Sequence, residues 1–348
     1  SSLSVTPVPP GLEALLKVQV KNIEEQTTEV EDETTGEIKK IRAGTKVVRR
    51  TLSMFVKVKV GDFISLQTQH GFIDLVLRYL QQQSIPYTLH DLRVKVPVAD
   101  LTKMMGFRFS QRELLERALL QRRSGLIGAP TRFGKSTLIQ NCCRAFAGYE
   151  IMVMLPGSDL VKQMYDELSV ILPDRKITKI VGTTGKQSED ITVCSFDSLH
   201  KVNADRVRVV LVDEPHALPT DTRMPEFSRF TKSLKLGFGA TLEGRFDGRD
   251  PMIMGLIGPV LSNRTYLEAV AEGAIAPIVV YMLRHKVPAR RIKNRHTAYK
   301  HLFFQNPDIG LTARRIMTPG DVLPAEWQVL GFIHNEDQVK FLSEKYWY

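Results

Sequence analysis

Three cysteines in 348 residues are too few, and odd in number, for a disulfide framework. Cys142, Cys143 and Cys194 also lack the paired spacing of zinc ligands, so a reduced, cytosolic protein is expected. No run reaches the ~18–20 uncharged apolar residues that cross a bilayer. The most apolar stretch, 251–263, holds two prolines and two glycines. The first ten residues, SSLSVTPVPP, lack the basic-then-apolar order of a secretory signal. No repeat of ~20–50 residues is visible, which removes solenoids and propellers. With 43% hydrophobic and 25% charged residues, disorder, collagen and coiled-coil rods are excluded as well. What remains is a globular chain long enough for two or three domains. It carries 48 Lys+Arg against 38 Asp+Glu, and this net charge of +10 favours a polyanionic partner.

Residues 1–98 read as a small, strand-rich α+β module. Lys17–Val20 alternates, 27–32 and 37–43 flank a turn at Gly36, and 51–60 places Val56, Val58 and Val60 opposite Lys57 and Lys59. A helix is predicted over 70–83, ended by Pro86. Asn22 to Ile38 holds seven acids and no Lys or Arg, whereas Lys39 to Lys59 holds eight basic residues and no acid. The two arms either grip nucleic acid or neutralise each other across the hairpin. Arg49, Arg50, Lys57 and Lys59 lie beyond that pairing and are the phosphate candidates.

From residue 99 to 276 helices alternate with short apolar strands. Ser110–Arg122 is predicted helical with Ser110 and Glu113 as a capping box. Strands are predicted at 125–127, 151–155, 177–181, 191–194 and 207–212, all fully buried, with a helix from Ser136 to Phe146. The fold class expected is α/β, a P-loop parallel sheet covered by helices on both faces.

The sharpest local signal is Ala129-Pro130-Thr131-Arg132-Phe133-Gly134-Lys135-Ser136, with Thr137 following in the same helix. Such a loop turns successive N–H groups toward phosphate oxygens, and the helix adds its positive end. Lys135 would bridge the β and γ phosphates of ATP, and Ser136 would ligate Mg²⁺. Ala129 stands where glycine is usual, which is tolerable only without a left-handed backbone. Downstream, four apolar residues end in Asp213-Glu214-Pro215-His216, a strand whose carboxyl end meets the nucleotide. Asp213 would hold Mg²⁺ and Glu214 would orient water as general base. His285, His296 and His301 have no acid or cysteine at ligand spacing and form no metal site. Phe133 and Phe246 would either stack on a base or on nothing.

Residues 105–348 resemble superfamily 2 DExH-box helicases and translocases, most of all the UvsW-, XPB- and RecG-like branch-migration helicases. The resemblance implies a RecA-like motor domain. It makes Phe107-Arg108-Phe109-Ser110-Gln111 the adenine-recognition element, with Arg108 and Gln111 at the nucleotide. By the same resemblance, Pro156 and Lys162 of LPGSDLVKQ, Thr183 of GTTGK and Ser195 of CSFDSL contact one DNA strand. His216 completes the DExH box and couples it to Gly239-Ala-Thr241-Leu-Glu-Gly-Arg245. There Gly239 and Leu242 depart from the usual hydroxyl residue and proline, leaving Thr241 for the coupling. The stretch from Gly255 to Val260, then LEAVAEGAIAP, is similar to the segment after that motif in the same branch.

The resemblance implies an ATP- and Mg²⁺-dependent helicase acting on branched, forked or duplex DNA in repair, recombination or replication. It would be a monomeric, nucleoid-associated cytoplasmic enzyme of a bacterium or infected host, without a membrane role, that meets recombination or replication proteins. Residues 277–348 would be a linker with a basic stretch (284–300) and the start of a second RecA-like domain. The motifs that supply its arginine finger have no counterpart before Tyr348, so a partial motor is expected. Taken alone it would hydrolyse ATP poorly, since such arginines contribute ~10³–10⁵ in rate. An RNA helicase or restriction-type duplex translocase, and a non-catalytic nucleotide-binding DNA scaffold, are the alternatives.

Overall fold

In a computed structural model of the chain, residues 2–31, 38–90, 96–242 and 247–278 are described. The chain divides into two compact units, and the one holding the candidate site comprises Ser1–Asn22 and Val48–Pro277. In order, the elements are β1 (Ser2–Val5), α1 (Leu12–Leu15), β2 (Lys17–Glu31), β3 (Ile38–Ser53), β4 (Phe55–Val60), β5 (Phe63–Gln69) and α2 (Ile73–Gln82). They continue with α3 (Gln111–Leu119), β6 (Gly125–Gly128), α4 (Lys135–Ala145), β7 (Ile151–Leu155), α5 (Ser158–Ile171), β8 (Ile177–Ile180) and β9 (Ile191–Ser195). Last come β10 (Val209–Asp213), α6 (Arg223–Ser228), β11 (Leu234–Gly239), α7 (Asp250–Leu256), β12 (Val260–Asn263) and α8 (Tyr266–Ala271).

The larger sheet has seven strands in the order β12-β6-β11-β10-β7-β9-β8, every recorded pairing being parallel. It is the parallel α/β sheet that the alternating pattern predicts, in the class that the resemblance to RecA-like domains implies. β6, β7 and β10 are apolar up to the carboxyl edge because both faces of the sheet are covered, whereas β11 carries one buried lysine, Lys235. Ile151, Val153, Leu155, Val209, Leu211, Leu236 and Phe238 face one core with α3, α4 and α5. Met152, Met154, Val210 and Val212 face the other with α6 and α7. The edge departs from expectation. β8 keeps only Ile180 fully buried, because a strand at the end of the sheet has one neighbour and a partly open face.

The amino-terminal elements form a three-stranded antiparallel sheet, β1-β5-β4. β1 and β5 are not among the strands that the sequence pattern indicates. The alternation in β4 is as predicted, yet its valine face is open: Val56 is 61% and Val60 53% exposed. β4 is an edge strand, and of the three valines only Val58 is half-buried. The helix predicted over 70–83 begins as a 3-10 turn, His70–Phe72, before α2. α7 packs into this domain's core through Met252. Gly71 sits so close that a Cβ there would lie 1.9 Å from the Met254 carbonyl oxygen, so only glycine fits. β2 and β3 pair in a separate two-stranded sheet; the Gly36 turn, Phe246, the basic stretch 284–300 and His285, His296 and His301 lie outside the described residues. No helix among the described residues is long and apolar enough to cross a membrane.

Candidate nucleotide-binding site

β6 is buried along its length and delivers the chain to the carboxyl edge of the sheet. There the Ala129 N–H donates to the Gly239 carbonyl of β11 at 2.9 Å, fixing the start of the loop. Ala129 is not among the residues with positive φ, which is why alanine is accepted in place of glycine. The loop closes with Phe133 N–H donating to Pro130 O at 3.1 Å. Phe133 is 2% exposed. It anchors the loop and is in no position to stack on a base. Pro130 is buried, Thr131 and Arg132 are exposed, and Ser136 and Thr137 are half-buried in the first turn of α4.

Gly134 caps α4 at φ 95°, where an L side chain is strained. A Cβ on it would also lie 2.4 Å from the Gln111 Nε2. Gln111 is 4% exposed. Its Nε2–H donates to Phe133 O at 2.5 Å and its Oε1 accepts from Arg108 N–H at 2.8 Å. The amide thus braces the phosphate loop, while the Arg108 side chain is exposed. Ser110 does not form the predicted capping box. Its N–H and hydroxyl both donate to Glu272, at 3.2 and 2.9 Å, while Glu113, the expected box partner, lies toward Arg117 and Arg264 instead. A capping box does form at Thr265 and Glu268, at the start of α8.

β10 is separated from β6 by one strand, β11, so Asp213 and Glu214 emerge beside the loop. The Lys135 ammonium pairs with Glu214 Oε1, and the two are 15% and 28% exposed. Glu214 has φ 52°, its N–H donates to Phe238 O at 3.0 Å, and its Oε2 lies 3.2 Å from His216 Nδ1. Asp213 Oδ1 is buried without a hydrogen-bond partner. Burial raises the Asp213 carboxyl above the usual range, Lys135 opposes this and the Glu214 charge reinforces it. A buried carboxylate oxygen with no donor is what a divalent cation satisfies. With Ser136 at the helix start, the residues present fit Mg²⁺.

Pro156 follows β7, Lys162 lies in the second turn of α5 after it, Thr183 follows β8 and Ser195 is the last residue of β9. In a parallel sheet this puts all four on the same edge as Lys135, toward the β8 flank. Lys162 and Thr183 are exposed and Pro156 half-buried. Ser195 is 7% exposed and its hydroxyl lies 2.9 Å from that of Ser198. Thr241 is exposed two residues past β11. On the amino-terminal sheet Lys59 is exposed and Lys57 pairs with Glu13 at 2.7 Å; Arg49 and Arg50 are exposed in β3. Arg264 was not singled out by the sequence: its N–H donates to Gly128 O at 2.9 Å. Its guanidinium lies 3.5 Å from Glu113 and 3.9 Å from Glu272. Only the LEAVAEG run hinted at this segment. No cluster of three or more metal-ligating side chains occurs among the described residues.

Residues 74–244, just under half of the chain, match the profile of the family described as type III restriction enzyme, res subunit. No curated protein sequence matches. Among solved structures, the UvsW helicase from bacteriophage T4 aligns at 15% identity with a TM-score of 0.46, over 60% of this chain and 82% of that one. A longer T4 UvsW structure aligns at 17% and 0.44, over 56% and 45%. The type ISP restriction-modification enzyme LlaGI, solved with a DNA substrate mimic, aligns at 14% and 0.40, over 49% and 21%. The chain therefore spans less than half of those two longer structures.

Proposed function

We propose that the chain, whose residues 74–244 match the family described as type III restriction enzyme, res subunit, is the nucleotide-binding part of an ATP-driven DNA motor of helicase superfamily 2. Its substrates would be branched, forked or duplex DNA. We assign residues 1–98 to an accessory DNA-binding domain, 99–276 to the first RecA-like domain, and 277–348 to the linker and the start of the second. One observation carries the proposal: two motifs far apart in sequence meet through the Lys135–Glu214 pair, beside the unpartnered Asp213 Oδ1.

The chemistry follows from these side chains. The loop from Ala129 to Gly134 and the first turn of α4 offer backbone N–H groups to the phosphates of ATP. Lys135 exchanges the Glu214 carboxylate for a phosphate oxygen. Glu214 Oε1 is then free to accept a proton from attacking water, held in place by His216 on its other oxygen. Asp213 and Ser136 would hold Mg²⁺, which when bound neutralises charge on the phosphoryl group. Gln111 keeps the loop in shape through Phe133 O and Arg108 N–H, and Gln111 and Arg108 are the proposed contacts of the base. Pro156, Lys162, Thr183 and Ser195 line the flank proposed for one DNA strand, and Thr241 the connection to it. Lys59, Arg49, Arg50 and Lys57 are the proposed phosphate contacts of the accessory domain.

ATP turnover by the complete motor, compared on forked DNA, blunt duplex and RNA, tests this. Greatest stimulation by forked DNA is expected; greatest stimulation by RNA would overturn the substrate assignment. The res-subunit family favours one second reading, duplex translocation without strand separation, which would make blunt duplex as good a stimulator as the fork.

A further inference from the structure

A cavity of about 640 Å³ lies between the β4–β5 sheet, α6 and α7, with Ser124 and Lys235 in its wall near the amino-terminal ends of β6 and β11. It is thus at the opposite edge of the sheet from Lys135. The volume falls within the ~300–1,000 Å³ of sites that enclose small molecules. Much of the wall is apolar, including Met54, Phe55, Met224, Met252 and Leu256. Three of these are methionines, whose unbranched side chains adapt to differently shaped occupants.

Lys235 breaks the apolar pattern. It is 6% exposed and sits on the face of β11 that turns toward α6 and α7. Its ammonium has three N–H groups. Among the described residues it has a long bond of 3.4 Å to the Leu256 carbonyl and the Phe227 ring at 4.7 Å. No carboxylate pairs with it there. Asp221, at the cavity wall, is 91% exposed and 3.6 Å from Arg249. A buried cation without a counter-charge is strongly disfavoured, and burial lowers the Lys235 pKa to about 8.

We propose that this cavity is a second ligand site, which takes a small molecule with one carboxylate and an apolar body, the carboxylate on Lys235 Nζ and the body against the methionines. Among the described residues, Lys235 is the one Lys or Arg in the wall, beside His70 and the exposed Asp221, so one carboxylate matches it, whereas a nucleotide or polyphosphate would bring several negative charges to a single ammonium. The site is independent of the nucleotide-binding reading.

Isothermal titration of the full chain with decanoate and with decanol provides the test, using wild type and Lys235→Met. Decanoate is expected to bind the variant at least tenfold more weakly, while decanol binds both alike. At pH 8.5 decanoate binding should also take up protons, seen as a heat that depends on the buffer, and this uptake should vanish in the variant. Lys235→Gln serves the same purpose if the methionine variant does not fold. Equal decanoate affinity in wild type and variant, or no decanoate binding by wild type, would overturn the proposal.

Discussion

Gly134→Ala perturbs the phosphate loop through two separable effects. The first is backbone strain, since φ is 95° at this position and an L residue there costs about 1–2 kcal/mol. The second is steric. The new methyl would stand 2.4 Å from the Gln111 Nε2, so the glutamine must withdraw and abandon its 2.5 Å bond to Phe133 O. Stranding those buried partners costs about 1–3 kcal/mol. Gly148 is the internal control, because its φ is 92° but nothing lies within 4 Å of the place its methyl carbon would take. Urea unfolding should therefore show Gly148→Ala losing about 1–2 kcal/mol and Gly134→Ala about 2–5 kcal/mol. Fluorescent ATP should bind Gly134→Ala more weakly and Gly148→Ala normally. Equal losses in the two variants, with nucleotide affinity kept in both, would refute the idea that Gln111 shapes the loop.

Other substitutions probe separate parts of the fold. Lys235 has its pKa lowered from 10.5 to about 8, so the unfolded chain holds that proton more tightly and the site destabilises the fold below pH 8. Lys235→Met should then be more stable at pH 7 by up to about 3 kcal/mol, and the gap should narrow as pH rises from 8 toward 10.5, measured by urea unfolding. The variant-minus-wild-type difference is the quantity to follow, because the buried Cys143 and Cys194 thiols, raised to about 12, erode stability above pH 9 in both proteins. Asp190→Asn removes the carboxylate clamped by Arg175, a pair only 16% and 23% exposed, and should cost about 3 kcal/mol in thermal or urea unfolding. Glu272→Ala leaves the Ser110 N–H and hydroxyl without their acceptor and should cost about 1–3 kcal/mol. Glu214→Gln should retain bound ATP longer than wild type in a filter-retention assay.

The seven-stranded sheet was legible in part: β7 and β10 are continuous apolar runs and the loop after β6 carries glycine and lysine at fixed offsets, whereas β11, interrupted by Lys235, and β12 are not among the strands that the pattern indicates. The P-loop and the acids after Val212 announced themselves, being short motifs whose chemistry depends on residue type. Other features depend on partners far away in sequence. Ser110 reads as a capping-box residue until Glu272, 162 positions on, takes its hydrogen bonds. Gln111 is polar in a helix start, and only the folded loop puts Phe133 O against it. β8 looks as apolar as its neighbours, but position at the sheet edge decides its exposure. Lys235 is one lysine inside Leu-Lys-Leu-Gly-Phe, a pattern that gives no sign of a buried charge. β1 and β5 pair with each other across the length of the amino-terminal domain, and their local sequence alone carries little strand signal.

Titration of the chain with a fluorescent ATP analogue, with and without Mg²⁺, bears most directly on the junction of Lys135, Asp213 and Glu214. Wild type should bind, and more tightly with the metal. Lys135→Ala should lose at least tenfold in affinity, and Asp213→Asn should bind equally with and without Mg²⁺. Binding by both variants that matches wild type, with the same response to Mg²⁺, would contradict the account.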